Sequence, residues 1–186
     1  MNATIKEEYA IVLDYLPNGY PLDRRPSHLK TQIIQAIGKD HYVLLELVPK
    51  RGINVTIHEE VYMGEGKREK IHHIAGKIPL NKLTRTAASE LEIVIKELVE
   101  KHEKRFVDFF NNAQPINARR HQLELLPGIG KKHMWEVLEK RDEKKFESFE
   151  DIKQRLRLMP DPEKSVIKRI LAELEEKDKH RLFVGH

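Results

Sequence analysis

Leu125-Leu126-Pro127-Gly128-Ile129-Gly130-Lys131-Lys132 decides how this chain is read. Apolar residues at helical spacing flank it, with Leu123 and Leu126 before it and Met134, Val137 and Leu138 after it. The spacing predicts a helix ending at Leu126 and another beginning near Gly130, joined by a tight turn. Two glycines give that turn access to positive φ and remove Cβ atoms that would block close approach. The second helix then opens with unpaired N–H groups and the positive end of its dipole, which suit an anion. Lys131 and Lys132 stand beside those donors.

This looks like a helix-hairpin-helix motif, which grips a nucleic-acid phosphate without reading bases. The plainer alternative is an inter-helix turn with solvated lysines. Charge follows the same stretch. The chain of 186 residues carries a net charge of +4. Residues 1–80 hold 11 basic and 10 acidic side chains, close to balance. Between Arg119 and Lys132, by contrast, Arg119, Arg120, Lys131 and Lys132 face Glu124 alone, with His121 as a further candidate cation.

Composition excludes several classes. At 39% hydrophobic the chain can bury a core, and no run approaches the roughly 18 apolar residues of a membrane span. The stretch from Met1 to Glu8 has no apolar signal region, which predicts a cytoplasmic protein with no membrane partner. Having no cysteine, the chain has no disulfide, thiolate zinc site, iron–sulfur cluster or thiol nucleophile. His58-Glu59-Glu60-Val61-Tyr62 begins like a zinc-protease helix, but Tyr62 stands where the second ligand belongs. His72 and His73, adjacent on a predicted strand, are expected on opposite faces. Phosphate-loop and dinucleotide fingerprints are missing too. The expectation is a non-enzymatic protein with no metal and no cofactor.

Upstream of the hairpin, the first eighty residues read as strands. Tyr9–Leu16, Tyr42–Val48, the strictly alternating Ile53–Ile57, Glu60–Met63 and Ile71–Ile78 make a set of five separated by Pro- and Gly-rich turns. Ile33, Ile34 and Ile37 suggest a short helix within Leu29–Gly38. Five short strands predict a small closed or partly open barrel of OB or SH3-like size, with a sandwich as the runner-up. Its candidate ligand contacts are Arg24 and Arg25 on the loop after the first strand and Lys67 and Arg68 in a glycine-rich hairpin. Tyr15, Tyr20, Tyr42 and Tyr62 are its candidate stacking aromatics.

From about Thr86 the period becomes helical and continues to about Asn112, predicting one long linking helix. Its Phe106, Phe109 and Phe110 are spaced for core packing rather than base stacking. The C-terminal part repeats weakly at 33 residues, laying Pro127 on Pro160 and Lys131 on Lys164. Ser148 and Asp161 then read as helix caps, the second followed by Pro162 in the first turn. Asp161, Pro162 and Glu163 replace Gly128, Ile129 and Gly130, so the second hairpin is expected to be structural. The fold is thus an α+β arrangement: an OB-like five-stranded barrel over 1–82, a linking helix or helices over 83–116, and an all-α tandem helix-hairpin-helix domain over 117–186.

Over nearly its full length the chain resembles an uncharacterised archaeal family. The resemblance rests on Gln35-Ala-Ile-Gly38, Leu44-Leu-Glu46, Val61-Tyr-Met-Gly64, Glu103–Asn111, His121–Lys132 and Phe146–Ile152. It implies an OB-like barrel with a helix-hairpin-helix tail and predicted nucleic-acid binding, with Gly128, Gly130, Lys131 and Lys132 as the backbone-contact hairpin. The resulting expectation is largely sequence-independent binding of an RNA or DNA backbone, RNA slightly favoured. Ile129 lies within the hairpin, Arg119 and Arg120 add charge, and the barrel adds a second surface. The alternative is a protein–protein adaptor whose hairpins are architectural.

Overall fold

A computed structural model describes residues 6–185. Of the N-terminal stretch read for a signal, Met1–Ile5 lie outside the described residues. The chain forms two compact units, one running to Val94 and including the segment from Glu173 onward, the other Ile95–Ala172.

The first unit is built on one curled antiparallel sheet of five strands: β1 (Tyr9–Leu16), β2 (Ile33–Gly38), β3 (Leu44–Pro49), β4 (Glu60–Tyr62) and β5 (Ile71–Lys77), in the order β4-β1-β2-β3-β5. Register shifts at Val12/Asp14 in β1 and, opposite Glu46/Leu47 and Val48/Pro49 of β3, at Ala75 and His72 in β5 bend it into a half-barrel, as bulges do. Ala10, Val12, Ile34, Ala36, Leu45 and Leu47 pack in the hydrophobic cluster of this unit. The sandwich is not found; the five strands form one sheet.

Two local expectations are corrected. Leu29–Gly38 is not a helix: its second half is β2, every residue of which is buried. A strand covered on both faces shows an unbroken apolar run, which periodicity alone does not separate from a buried helix. Ile53–Ile57 is not a strand but a connection, with positive φ at Gly52 and His58 just outside it. Its alternation reflects Ile53 and Val55 facing the cluster while Ile57 is exposed.

Behind β2 a polar knot seats the first long helix, α1 (Arg85–Lys101). The fully buried Gln35 side chain donates to Lys82 O (3.0 Å) and to the Tyr20 hydroxyl (3.1 Å) and accepts the Thr84 N–H (2.8 Å). Thr84 Oγ1 accepts the Ala87 N–H (3.0 Å), capping α1, and donates to Asp14. Buried Glu173 accepts the N–H groups of Leu182, Phe183 and Val184 at 2.6 to 3.0 Å, pinning the C-terminal segment.

The long linking helix is likewise corrected: α1 ends at Lys101, and α2 (Glu103–Asn112) starts anew after His102, whose ψ of 29° leaves the helical range. Phe106 and Phe110 are fully buried, as their spacing predicts. After α2 come a small β-hairpin, β6 (Pro115–Asn117) and β7 (Arg120–His121), and one 3-10 turn over Gln122–Leu125. The helix expected to end at Leu126 is therefore only this short turn. Three helices follow: α3 (Lys131–Glu143), α4 (Phe149–Arg155) and α5 (Pro162–Leu174). Ser148 and Asp161 cap α4 and α5, accepting the N–H groups of Asp151 (3.0 Å) and Lys164 (3.1 Å).

Candidate functional site

In the unit Ile95–Ala172, the turn before α3 is held from within. Gly128 has φ +83°, and a Cβ there would sit 3.0 Å from Pro160 Cγ. Ile129 is buried and its N–H donates to Leu126 O (3.1 Å). From α5, Ser165 Oγ donates to Pro127 O (3.1 Å) and Arg169 to Leu125 O (3.2 Å). Ile129 is thus a structural plug, and its N–H is not offered outward.

Gly130 differs from Gly128. It is the N-cap of α3, in extended conformation (φ −96°, ψ −169°), with open space where its Cβ would be. It has no side chain to cap with, and the first turn of α3 carries no acid. Met134 is the first residue whose N–H finds a helical acceptor, Gly130 O at 2.9 Å. The N–H groups of Lys131 and Lys132 are left at the positive end of the helix.

Cations lie close to this end. The Arg119 and Arg120 N–H groups both donate to Asn117 Oδ1 (2.8 and 3.0 Å), which sets the tip of the β6–β7 hairpin. The Arg119, Arg120 and Lys132 side chains are exposed and have no hydrogen bond or ion pair among the described residues. Lys131 is partly engaged: its ammonium donates to Arg119 O (3.0 Å) and lies 3.5 Å from Glu124. Arg119, Arg120, Lys131 and Trp135 line a cavity of about 370 Å³. His121 is corrected as a candidate cation. Its buried ring accepts the Leu123 N–H (3.1 Å) in a capping box with Glu124, and burial together with nearby Arg141 holds it below the ordinary histidine range.

The start of α5 offers a comparison. There Asp161 occupies the helix end and lies 3.1 Å from the Lys153 ammonium. Burial opposes its ionisation, yet the Lys164 N–H and Lys153 keep its pKa below the usual value. One helix end is filled by its own carboxylate; the other is open.

The half-barrel cations lie on two separate loops of the other unit. Arg24 is exposed, whereas Arg25 clamps Asp23 at 2.7 Å and draws that carboxyl down to about 2. Lys67 is exposed, while Arg68 donates to Gly64 O (2.7 Å). Arg68 also lines a cavity of about 610 Å³ together with Val43, Leu45, Met63 and Ile74. The tyrosines are mostly committed elsewhere. Tyr42 is fully buried, and the Tyr62 hydroxyl accepts the Gly66 N–H (3.0 Å). The Tyr15 hydroxyl donates to Asn54 Oδ1 (3.1 Å). Tyr20 bonds Glu46 at 2.6 Å, and burial and that carboxylate push its phenol up to about 12.

His72 and His73 do not point to opposite faces. The register shift in the β3–β5 pairing skips His72, and the two Nδ1 atoms lie 2.7 Å apart. Three features went unread in the sequence: the β6–β7 hairpin, the half-barrel cavity and exposed Trp135. Only the last had a signal, since the apolar face through Met134, Val137 and Leu138 leaves residue 135 off it.

Comparison with known proteins covers almost the whole chain. The family described as "Protein of unknown function (DUF655)" matches residues 6–185. The uncharacterised protein MJ0038 of Methanocaldococcus jannaschii is 47% identical over 180 residues, 96% of this chain and 80% of that protein. The crystal structure of Af1531 from Archaeoglobus fulgidus, itself described under DUF655, is similar with a TM-score of 0.88 and 41% identity, covering 96% of this chain and 100% of that one. The chain belongs to the DUF655 family, whose two relatives compared here are both archaeal, in keeping with the archaeal resemblance in its sequence.

Proposed function

We propose that this protein binds nucleic acid without catalysing a reaction, gripping one phosphate at the start of α3 and reading little sequence. The observation that carries the reading is the contrast between the two helix ends. The α3 end is uncapped, carries Lys131 and Lys132 in its first turn and has Arg119 and Arg120 beside Lys131, while the α5 end is filled by Asp161. In this reading Gly128-Ile129-Gly130 acts as the turn of a helix-hairpin-helix motif whose first helix is reduced to the 3-10 turn Gln122–Leu125, with Gly128 and Ile129 shaping it and Gly130, Lys131 and Lys132 supplying donors. Such contacts position a ligand and carry little base information.

The five strands curl into one half-barrel whose edges are β4 and β5, and its small size and strand number support an OB-like reading of the sheet. In such barrels the loops joining strands 1 to 2 and 4 to 5 contact oligonucleotides. Here those loops carry Arg24 with Arg25 and Lys67 with Arg68. Because OB-like barrels often take single strands or structured RNA, RNA is slightly favoured over DNA.

The test is anisotropy of labelled mixed-sequence RNA and DNA against the full chain over a salt series. Three to four phosphate contacts on a single strand predict a log–log salt slope of about −2 to −3. In Gly130→Asp the new carboxylate caps α3 and fills the anion position. Binding should then fall while stability rises by about 0.5 kcal/mol. If the wild type binds neither polymer at low salt, or the variant binds as well, the hairpin is architectural and the adaptor reading takes its place.

A further inference from the structure

We infer that Trp135 is a stacking platform for an unpaired nucleobase, so that the protein prefers single strands to duplex; this rests on the phosphate grip at α3. Trp135 is the chain's one tryptophan and is 65% exposed. Its neighbours Met134 and Val137 are buried and do the packing of α3. The indole N–H meets no acceptor among the described residues. A large aromatic that contributes so little to its own fold is available to a ligand, and its flat face suits a base of any identity.

Position makes the assignment specific. Trp135 follows Lys131 by four residues, so the two share one face of α3, separated by a rise of about 6 Å. That is close to the reach from a nucleotide's phosphate to its base. The cavity of about 370 Å³ beside the indole is walled by Arg119, Arg120 and Lys131. The two guanidinium groups lack partners among the described residues, and such planar cations hold phosphate and stack on aromatic faces. The acid in the same wall, Glu124, is occupied by Lys131 and by the His121 N–H (2.8 Å). A cationic groove with one aromatic plate is the chemistry of a single strand, because the bases of a duplex are already stacked on one another.

A sole tryptophan reports on its own contact. The full chain is titrated with unlabelled RNA and DNA of roughly 12 nucleotides, with the same sequences annealed, and with inorganic polyphosphate, following Trp emission; labelled strands give affinity by anisotropy. Single strands should quench emission by about half or more, and polyphosphate should leave it unchanged. Trp135→Ala should weaken single-strand binding about ten-fold and duplex binding less than about two-fold, with Trp135→Phe restoring most of the loss. Unaltered melting of both variants separates stacking from misfolding. Single strands that bind without quenching, with Trp135→Ala binding like wild type, overturn the platform and leave the phosphate grip standing. Equal affinity for duplex and single strand overturns the strand preference. Failure of every polymer to bind overturns the platform and the grip together.

Discussion

Gly128 and Gly130 stand two residues apart in one turn under different constraints. Gly128 has φ +83° and faces the Pro160 ring, so any side chain there is strained twice. Gly128→Ala should cost about 1–2 kcal/mol in urea unfolding. Gly130 has an ordinary extended backbone and open space, so it tolerates Asp; what it provides is an empty cap. Five residues before the turn's Leu126-Pro127 step, His121 adds a pH dependence. Burial, with Arg141 nearby, holds its folded pKa below 6.5. As pH falls through 6.5 the unfolded chain takes up a proton that the folded chain refuses. The stability from this group is complete above about 6.5 and is lost as pH falls from there toward the folded pKa. Urea midpoints between about pH 8 and 5.5 should decline, and less so in His121→Asn, whose amide oxygen can accept the same N–H.

At the scale of elements, the packing depends on a few polar anchors. The Glu173 carboxylate collects three backbone N–H groups from residues 182–184. Bonds to a charged acceptor are worth more than neutral ones, and their loss strands buried donors. Glu173→Ala should cost about 3 kcal/mol, and amide exchange at Leu182, Phe183 and Val184 should accelerate more than exchange in β2. Much of this scale was legible beforehand. β1 matches the Tyr9–Leu16 run residue for residue, β4 and β5 begin at Glu60 and Ile71 as their turns imply, and Ser148 and Asp161 cap as their positions suggest. The failures share a cause. β2 looked helical because a strand covered on both faces loses its period of two. Ile53–Ile57 looked like a strand because one-sided burial alternates even without a ladder.

For the molecule as a whole, a net charge of +4 among 34 basic and 30 acidic side chains gives little long-range attraction. Under the proposed binding role, affinity would then depend on local groups, and the loops of the half-barrel are the place to test for more of them. With Arg25 held by Asp23 and Arg68 by Gly64, Arg24 and Lys67 are the two of these four loop cations left available. Arg24→Ala with Lys67→Ala should lower affinity evenly across sequences and flatten the salt slope by about 1.4, the share of two phosphate contacts on a single strand. An unchanged slope would confine the interface to the unit carrying α3.

By itself the sequence determined whatever is written in a single segment: apolar period, glycine turns, capping residues, local charge and the family. Tertiary structure alone decided which of those groups remain available. Lys131 and Lys132 are adjacent and chemically alike, yet one is tied to Arg119 O and Glu124 while the other is exposed without a partner among the described residues. His121 became a buried cap rather than a cation, and Ile129 a plug rather than a donor. Trp135 gained Arg119 and Arg120 as neighbours only through the β6–β7 hairpin. Availability depends on what other segments bring to within hydrogen-bond distance, and no local pattern encodes that. The Gly128–Gly130 turn was therefore legible in the sequence, but which of its neighbouring groups stay exposed was set by its surroundings.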